Sequence, residues 1–300
     1  MRVVVTGGAG FIGSHVADRL LARGDEVHVL DDLSKGTRDR VPDGAELHVA
    51  DIRDPDAVFE AARPEAVVHL AAQADVRVSV ERPADDAAVN VLGTVRILEA
   101  ARRHGAQVVF ASTGGAIYGE CDGPAPESAP RRPLAPYGTS KLCGEEYLST
   151  WNRLHGTRHV SLRFGNVYGP RQEPHGEAGV VAIFMGLLRG DGTPRIYGDG
   201  AQTRDYVYVG DVVRAVVAAL GADGGVYNVG TGVETSVLEL YAAVERAAGV
   251  ERAPVHEPAR AGELQRSVLD VSLAARELGW RPEGTLADGL DSTWRWMQER

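Results

Sequence analysis

Apolar residues along this chain follow two alternating rhythms. Short runs rich in Val, Leu and Ile recur at Val3–Val5, Glu26–Leu30, Glu46–Ala50, Ala66–Leu70 and Gln107–Ala111. Such runs suit strands buried on both faces. Between them the apolar positions return at helical spacing. Phe11, Ile12, Val16, Leu20 and Leu21 follow the first run, and a long helical segment from about Ala84 to His104 carries Asn90, Val91, Val95 and Leu98. Further strands are expected near Val160–Phe164 and Val226–Val229, with a helix after Asp211 bearing Val212, Val213, Val216, Val217 and Leu220. The stretch from Glu120 to Pro136 is Pro-rich and reads as a surface loop. Strand–helix alternation of this kind predicts an α/β fold with a doubly wound parallel sheet, the Rossmann arrangement, and ligands at the carboxyl ends of its strands.

The first strand ends in Gly7, Gly10 and Gly13, spaced G-x-x-G-x-x-G. Glycines there let the backbone approach a pyrophosphate, which then faces the amides and dipole of the following helix. Taken alone, the triplet fits a tight turn without a ligand equally well. The second strand changes that, because it ends in Asp31 and Asp32, and Asp31 lies 18 residues after Gly13. The ribose-binding acid of a dinucleotide fold is expected about 20 residues on. A carboxylate at that point accepts bonds from the adenosine ribose and repels a 2′-phosphate, so the expected cofactor is NAD rather than NADP. The polar loop Leu33–Thr37 is placed around that ribose. Asp51 and Ile52 follow the third strand, where Asp51 either bonds the adenine amine, with Ile52 against the ring, or caps the helix that starts near Pro55. Ala71, Ala72 and Gln73, small or short residues after the fourth strand, leave room for a ligand across the strand end.

Composition narrows the partners. The chain has 300 residues, 44% of them hydrophobic, and a formal net charge of −10. That suits one large or two interleaved domains and argues against nucleic acid or an anionic membrane as the main partner. No apolar run is long enough to span a bilayer, and the N-terminus enters a strand at once, so a cytoplasmic, reducing setting is expected. Cys121 and Cys143 form neither a metal spacing nor a disulfide framework, and no residue is assigned to a metal. Of the 32 basic residues only Lys35 and Lys141 are lysine. Where arginine is the default cation, a lysine marks a place that arginine cannot serve.

Lys141 falls four residues after Tyr137, on the same helical face. Free tyrosine titrates near ~10. A neighbouring ammonium favours the phenolate and makes Tyr137 a base near neutral pH.

Together, T-G-G-A-G-F-I-G from Thr6 to Gly13, Asp31, Asp51 with Ile52, H-L-A-A from His69 to Ala72, and Y-x-x-x-K from Tyr137 to Lys141 resemble the extended short-chain dehydrogenase/reductases. Within them the chain is similar to the UDP-glucose 4-epimerase group. The resemblance continues through Leu162–Gln172, Gly198–Tyr206, Tyr227–Gly232 and Arg260–Glu263, and so covers nearly the whole length.

It implies the following roles. Gly7, Gly10, Phe11 and Ile12 hold the pyrophosphate; Asp31, Asp32, Ser34, Lys35 and Gly36 line the adenosine ribose; Asp51 and Ile52 take adenine. Leu70, Ala71, Ala72, Gln73, Asn90, Ser112 and Phe164 line the nicotinamide path. Tyr137 and Lys141 are catalytic. Gly114, Asn166, Gly179, Val180, Arg204, Arg260 and Ser267, with Thr113 and Tyr137, face the UDP-sugar, the two arginines on its diphosphate. For Arg204 a simple ion pair with Asp205 is the alternative. Residues 176–180 are expected to open a helix whose amides hold the nucleotide.

The implied reaction is 4-epimerisation of UDP-hexoses through a transient 4-keto sugar, with tightly bound NAD. The alternatives are epimerisation of another sugar nucleotide such as UDP-glucuronate, or a reductase or dehydratase on the same fold. A dehydratase would want carboxylates after Thr113, where Gly114, Gly115 and Ala116 stand instead. The group has a Ser or Thr four positions before Tyr118; here that position is Gly114. Either Thr113 bridges tyrosine and sugar, or Tyr137 contacts the sugar directly. At the position of Ser267 the group gates the sugar C2 substituent by bulk, so UDP-N-acetylglucosamine is expected to fit; the alternative is that Ser267 lines a solvated loop. The expected lobes are 1–168 plus 204–231 for NAD and 169–203 plus 232–300 for the sugar nucleotide. A homodimer is expected, joined through helices holding Asn90–Ala101 and Lys141–Leu154, whose apolar positions Val91, Val95, Leu98, Leu142 and Leu148 need cover.

Overall fold

A computed structural model of the chain describes residues 1–174, 179–260 and 263–299. In chain order the strands are β1 (Arg2–Thr6), β2 (Glu26–Asp31), β3 (Glu46–Val49), β4 (Ala66–His69), β5 (Gln107–Thr113), β6 (Val160–Phe164), β7 (Asn166–Tyr168), β8 (Arg195–Tyr197), β9 (Thr203–Arg204), β10 (Tyr206–Tyr208), β11 (Gly225–Val229), β12 (Thr235–Ser236), β13 (Val255–Glu257) and β14 (Arg266–Ser267). The helices are α1 (Phe11–Ala22), α2 (Asp56–Ala62), α3 (Val76–Glu81), α4 (Pro83–Ala87), α5 (Gly93–His104), α6 (Gly114–Ile117), α7 (Pro136–His155), α8 (Val180–Arg189), α9 (Val209–Ala219), α10 (Val237–Ala248), α11 (Ser272–Glu277) and α12 (Leu286–Gln298). None is long and apolar enough to cross a membrane.

Seven strands form one parallel sheet in the order β11-β6-β5-β4-β1-β2-β3. The strand order reverses between β1 and β4, and a crevice opens there at the carboxyl ends. Side chains alternate along each strand, so β1 feeds two layers. Val3 and Val5 join Val16, Leu20, Val212 and Val216 of α1 and α9. Val4 joins Phe59, Ile97, Leu98 and Leu148 of α2, α5 and α7. The predicted strand runs and the helix after Asp211 are therefore present, with β5 continuing to Thr113.

The sugar-side half has its own core. Phe184, Met185, Ile196, Leu240, Tyr241, Leu290 and Trp294 bring α8, α10 and α12 together, with Tyr168 and Tyr206 beside them. Three small sheets support it: β7 with β10, β8 with β13, and β12-β9-β14. Part of the region 232–300 belongs elsewhere. Ala274 and Trp280 pack into the first core, and Trp280 Nε1 donates to the Asp211 carbonyl at 3.0 Å.

Three other expectations change. The helix from Ala84 to His104 contains a π turn at Ala88–Leu92, with Asn90 inside it. The Pro-rich stretch is tied down at Ala125, which pairs with Leu269. Leu98 and Leu148 cannot await a partner, because both are core residues of this chain; the apolar residues left exposed on the same helices include Leu92 and Leu154.

Candidate active site

At the β1–α1 turn the site is made of backbone. Gly7 sits at φ +70°, and a Cβ there would meet the Ala71 backbone nitrogen at 2.8 Å. A Cβ on Gly13 would lie 2.1 Å from the Gly7 carbonyl oxygen. Gly10 ends the turn as the helix N-cap without a side-chain cap, so the first amides of α1, those of Phe11 and Ile12, are left for an anion. This cradle fits a pyrophosphate.

The adenosine side is more self-bonded than the sequence suggests. Both oxygens of Asp31 accept backbone N–H bonds, from Ala9 at 3.0 Å and Leu33 at 2.9 Å. Burial raises its pKa, and those amides oppose the rise. Each oxygen keeps a lone pair for a ribose hydroxyl. Asp32 turns to Ser34, taking its amide at 2.9 Å and its hydroxyl at 2.6 Å. Gly36 lies against Ala9, where a Cβ would come within 2.8 Å, so the Leu33–Thr37 loop closes over the glycine turn. Lys35 is on that loop. Asp51 caps no helix: Pro55 is the N-cap of α2, and Asp51 pairs with Arg53, which lowers its pKa. The Ile52 side chain is buried against Gly93, so its backbone, not its side chain, is what it offers to a ring.

At the end of β4, Gln73 and Asn90 are joined in a polar knot. The Asn90 amide is 2% exposed and accepts from Gln73 N at 2.9 Å. It donates to the Gln73 carbonyl at 2.8 Å and to Asp86 Oδ1 at 2.9 Å. Gln73 Nε2 also reaches Asp86, and Ser140 Oγ donates to its other oxygen. Asn90 and Gln73 thus brace the chain just after the Leu70–Ala72 strand end.

Tyr137 stands half-buried in the first turn of α7, its amide donating to Ser79 Oγ at 3.1 Å. One turn on, Lys141 is 3% exposed. Its Nζ donates to the Ala111 carbonyl at 2.9 Å and lies 4.8 Å from the Phe110 ring centroid. Burial pulls the ammonium down to about 8, against the pull of Asp86 and Glu145. Two further ammonium donors remain for a ligand. Thr113 and Phe164 are register partners at the ends of β5 and β6. Ser112 pairs with Arg163 instead. Its hydroxyl donates to Glu145, so it has no proton left to give a cofactor.

Gly114 is explained by Leu269: a Cβ at 114 would lie 2.6 Å from both Leu269 methyl groups. A serine or threonine there would require the Leu269 side chain to shift.

On the sugar side, the ion-pair alternative for Arg204 is not the one anticipated. Asp205 is buried and takes Thr231 N and Oγ1, both at 2.7 Å, and Gly232 N at 3.0 Å. Arg204 donates to the Thr203 carbonyl at 2.8 Å and faces Glu263 at 3.6 Å. Arg260 stacks on Tyr197 with 3.7 Å to the ring centroid. Ser267 is 7% exposed on β14, opposite Arg204 on β9, so it lines no solvated loop. The Asn166 amide oxygen is beside Gly115, where a Cβ would be 3.5 Å away. Gly179 is the uncapped N-cap of α8 and Val180 its first residue; 176–178 lie outside the described residues, as do 261–262 of the Arg260–Glu263 motif.

The sequence reading missed a buried network behind β5. Arg163 is 2% exposed and donates Nε to Glu145 Oε1 at 2.9 Å and Nη2 to Oε2 at 2.6 Å. Its Nη1 reaches Tyr118 Oη at 2.7 Å, and Tyr118 donates on to Asn228 at 2.8 Å. A charged residue inside the apolar run Leu162–Phe164 was the available signal. Full pairing is what makes such burial tolerable.

The NAD dependent epimerase/dehydratase family matches residues 3–230. A UDP-glucose 4-epimerase of Mycolicibacterium smegmatis is 48% identical over 98% of this chain and 97% of its own length. A UDP-glucose 4-epimerase of Thermotoga maritima, solved with UDP-glucose, superposes with a TM-score of 0.97 at 43% identity, covering 100% of this chain and 99% of that one. A UDP-glucose 4-epimerase of Thermus thermophilus, solved with NAD, gives 0.93 at 49% identity, with 99% of each chain covered.

Proposed function

Because the chain belongs to the NAD dependent epimerase/dehydratase family, we propose that it is a UDP-hexose 4-epimerase working through a transient 4-keto sugar. The observation that carries this reading is the Tyr137–Lys141 pair, with the buried Lys141 ammonium bonded to the Ala111 carbonyl of β5, two residues before Thr113. Gly7, Gly10 and the first amides of α1 hold NAD by its pyrophosphate, and Asp31 holds its adenosine ribose. When bound, NAD supplies the reversible removal and return of the hydrogen at C4 of the sugar.

The chain's own residues do the rest. Tyr137 takes the 4-hydroxyl proton and gives it back. Lys141 keeps the phenol acidic and orients the ribose beside it. Thr113, the residue before Gly114, supplies the hydroxyl that relays the proton between sugar and Tyr137. Arg204 and Arg260 take the diphosphate, Arg204 by leaving Glu263. Asn166 and the N-terminus of α8 at Gly179 and Val180 hold the nucleotide. Phe164 walls the nicotinamide side.

Ser267 is small and buried on β14, which supports admission of an N-acetyl group at C2, so UDP-N-acetylglucosamine is a second substrate. The protein works as a cytoplasmic homodimer through the α5–α7 face, where Leu92 and Leu154 are exposed.

The test is incubation of the purified protein with UDP-glucose and no added cofactor. UDP-galactose should form, followed by NMR, and denaturation should release NAD. A requirement for added NADPH sinks the reading. For the second substrate, Ser267→Tyr should lose activity on the N-acetylated sugar and retain it on UDP-glucose; an unchanged ratio means Ser267 is not the gate.

A further inference from the structure

At the outer edge of the central sheet, two histidines and a carboxylate from adjacent strands face one another, and neither the glycine turn nor the Tyr–Lys pair uses them. His28 on β2 is directly opposite Glu46 on the edge strand β3, and His48 is two residues further along. The period-two alternation puts all three on the same face of the sheet.

Their spacing is that of a ligand set. His28 Nδ1 and His48 Nε2 are 3.0 Å apart. One Glu46 oxygen lies 3.5 Å from the former, and the other lies 3.6 Å from the latter. Zinc binds imidazole nitrogen and carboxylate oxygen at about 2.0–2.2 Å in tetrahedral sites, so its donors stand roughly 3.3 Å apart. The His–His separation and each histidine's distance to the Glu46 oxygen it faces are within a few tenths of an ångström of that value, and one ligand atom from each of the three residues lies within 4.8 Å of the others.

The surroundings are also those of a metal site. Glu26 Oε1 lies 3.1 Å from His28 Nε2 and accepts its N–H. That fixes the tautomer with the Nδ1 lone pair aimed into the triangle, as an outer carboxylate does for a ligating histidine. His28 is 5% exposed, so this donor is preset.

We propose that His28, Glu46 and His48 bind one divalent transition-metal ion of the zinc class, with water in the fourth position, and that the ion fastens the edge strand β3 to β2. Two imidazoles and one carboxylate select such an ion over calcium or magnesium, which take oxygen donors. The competing arrangement for the same atoms is a plain His–His hydrogen bond.

The experiment uses the full chain with its cofactor retained, stripped by a chelator and titrated with Co²⁺. One equivalent should bind, with the intense visible absorption of four-coordinate cobalt, and one equivalent of Zn²⁺ should displace it. Glu46→Gln, on the exposed edge, and His48→Gln should each abolish the cobalt spectrum. Glu26→Gln should weaken binding by about 10–100-fold, the range for an outer-shell partner. Epimerase turnover should stay unchanged in all three variants. Zn²⁺ should raise the melting temperature of the parent and not of the Glu46→Gln protein. No saturable cobalt binding, or a cobalt spectrum that survives in both Glu46→Gln and His48→Gln, overturns the proposal.

Discussion

At the β1–α1 turn the groups that face a ligand are backbone amides, held by glycines that touch Ala71 and each other; around β9 and β14 they are guanidinium groups already engaged by neighbours. Arg204 faces Glu263, Arg260 lies on Tyr197, and Arg266 is paired with Glu234. The first region is finished before any ligand arrives and has nothing to rearrange. The second must exchange partners, so its ligand competes with the protein's own carboxylates. Rigidity at the cofactor end and exchange at the sugar end suit a protein that keeps one molecule and turns over another.

The contrast is broken most violently at Gly13. A Cβ 2.1 Å from a backbone oxygen cannot be absorbed by a side-chain shift. Gly13→Ala should cost upwards of ~3 kcal/mol, the top of the overpacking range, and abolish NAD retention. Thermal unfolding with chromatography of the released nucleotide measures both. Retention of a full equivalent would mean the turn is softer than its packing implies.

Thr113→Val tests the junction between the two regions. If the hydroxyl relays the proton, turnover should fall by about 10²–10⁴ while NAD stays bound. A loss of only a few-fold gives the contact to Tyr137 directly.

The Lys141 ammonium supplies a pH test of the rigid side. Its pKa is pulled from 10.5 to about 8, so the charged form is lost as pH rises through that value. The kcat/KM profile should fall on the alkaline side with a midpoint no higher than about 8, by up to tenfold per pH unit. Stability should move the opposite way. The unfolded chain holds this proton more tightly, so Lys141's contribution makes folding more favourable between about 8 and 10.5. Equilibrium unfolding across the same range checks the sign.

The smallest effect sharpens the exchanging side. Glu263→Gln removes the competitor for Arg204. A part-exposed pair is worth at most about 1 kcal/mol, so the UDP-glucose KM should fall by no more than roughly fivefold with kcat held. A raised KM would show that Glu263 positions Arg204 rather than competing for it.

What could be read from sequence follows the same division. β1 to β6, β11 and the glycine turn announce themselves because buried parallel strands are unbroken apolar runs and the turn's constraints are local. Strands of two or three residues such as β9, β12 and β14 carry no period to detect. Contacts between distant residues were equally silent. Nothing near Gly114 points to Leu269, nothing near Ser140 to Asp86, and His28 meets Glu46 only because β2 and β3 pair. The same distance hides that Asn90 and Gln73 are bonded to each other and to Asp86.

Asp205 carries a consequence for how the protein is made. Its buried carboxylate gathers Thr231, Gly232 and, at 3.3 Å, the amide of Leu269, which lies 64 residues further along the chain. A ribosome adds about 5–20 residues per second, so Leu269 is synthesised roughly 3–13 s after Asp205. Through that interval β1 to β6 already exist and can pair, whereas the clasp around Asp205 is still missing a strand. The nascent chain is therefore able to assemble its nucleotide cradle while the opposite wall is open, and the wall shuts only when the last segment emerges.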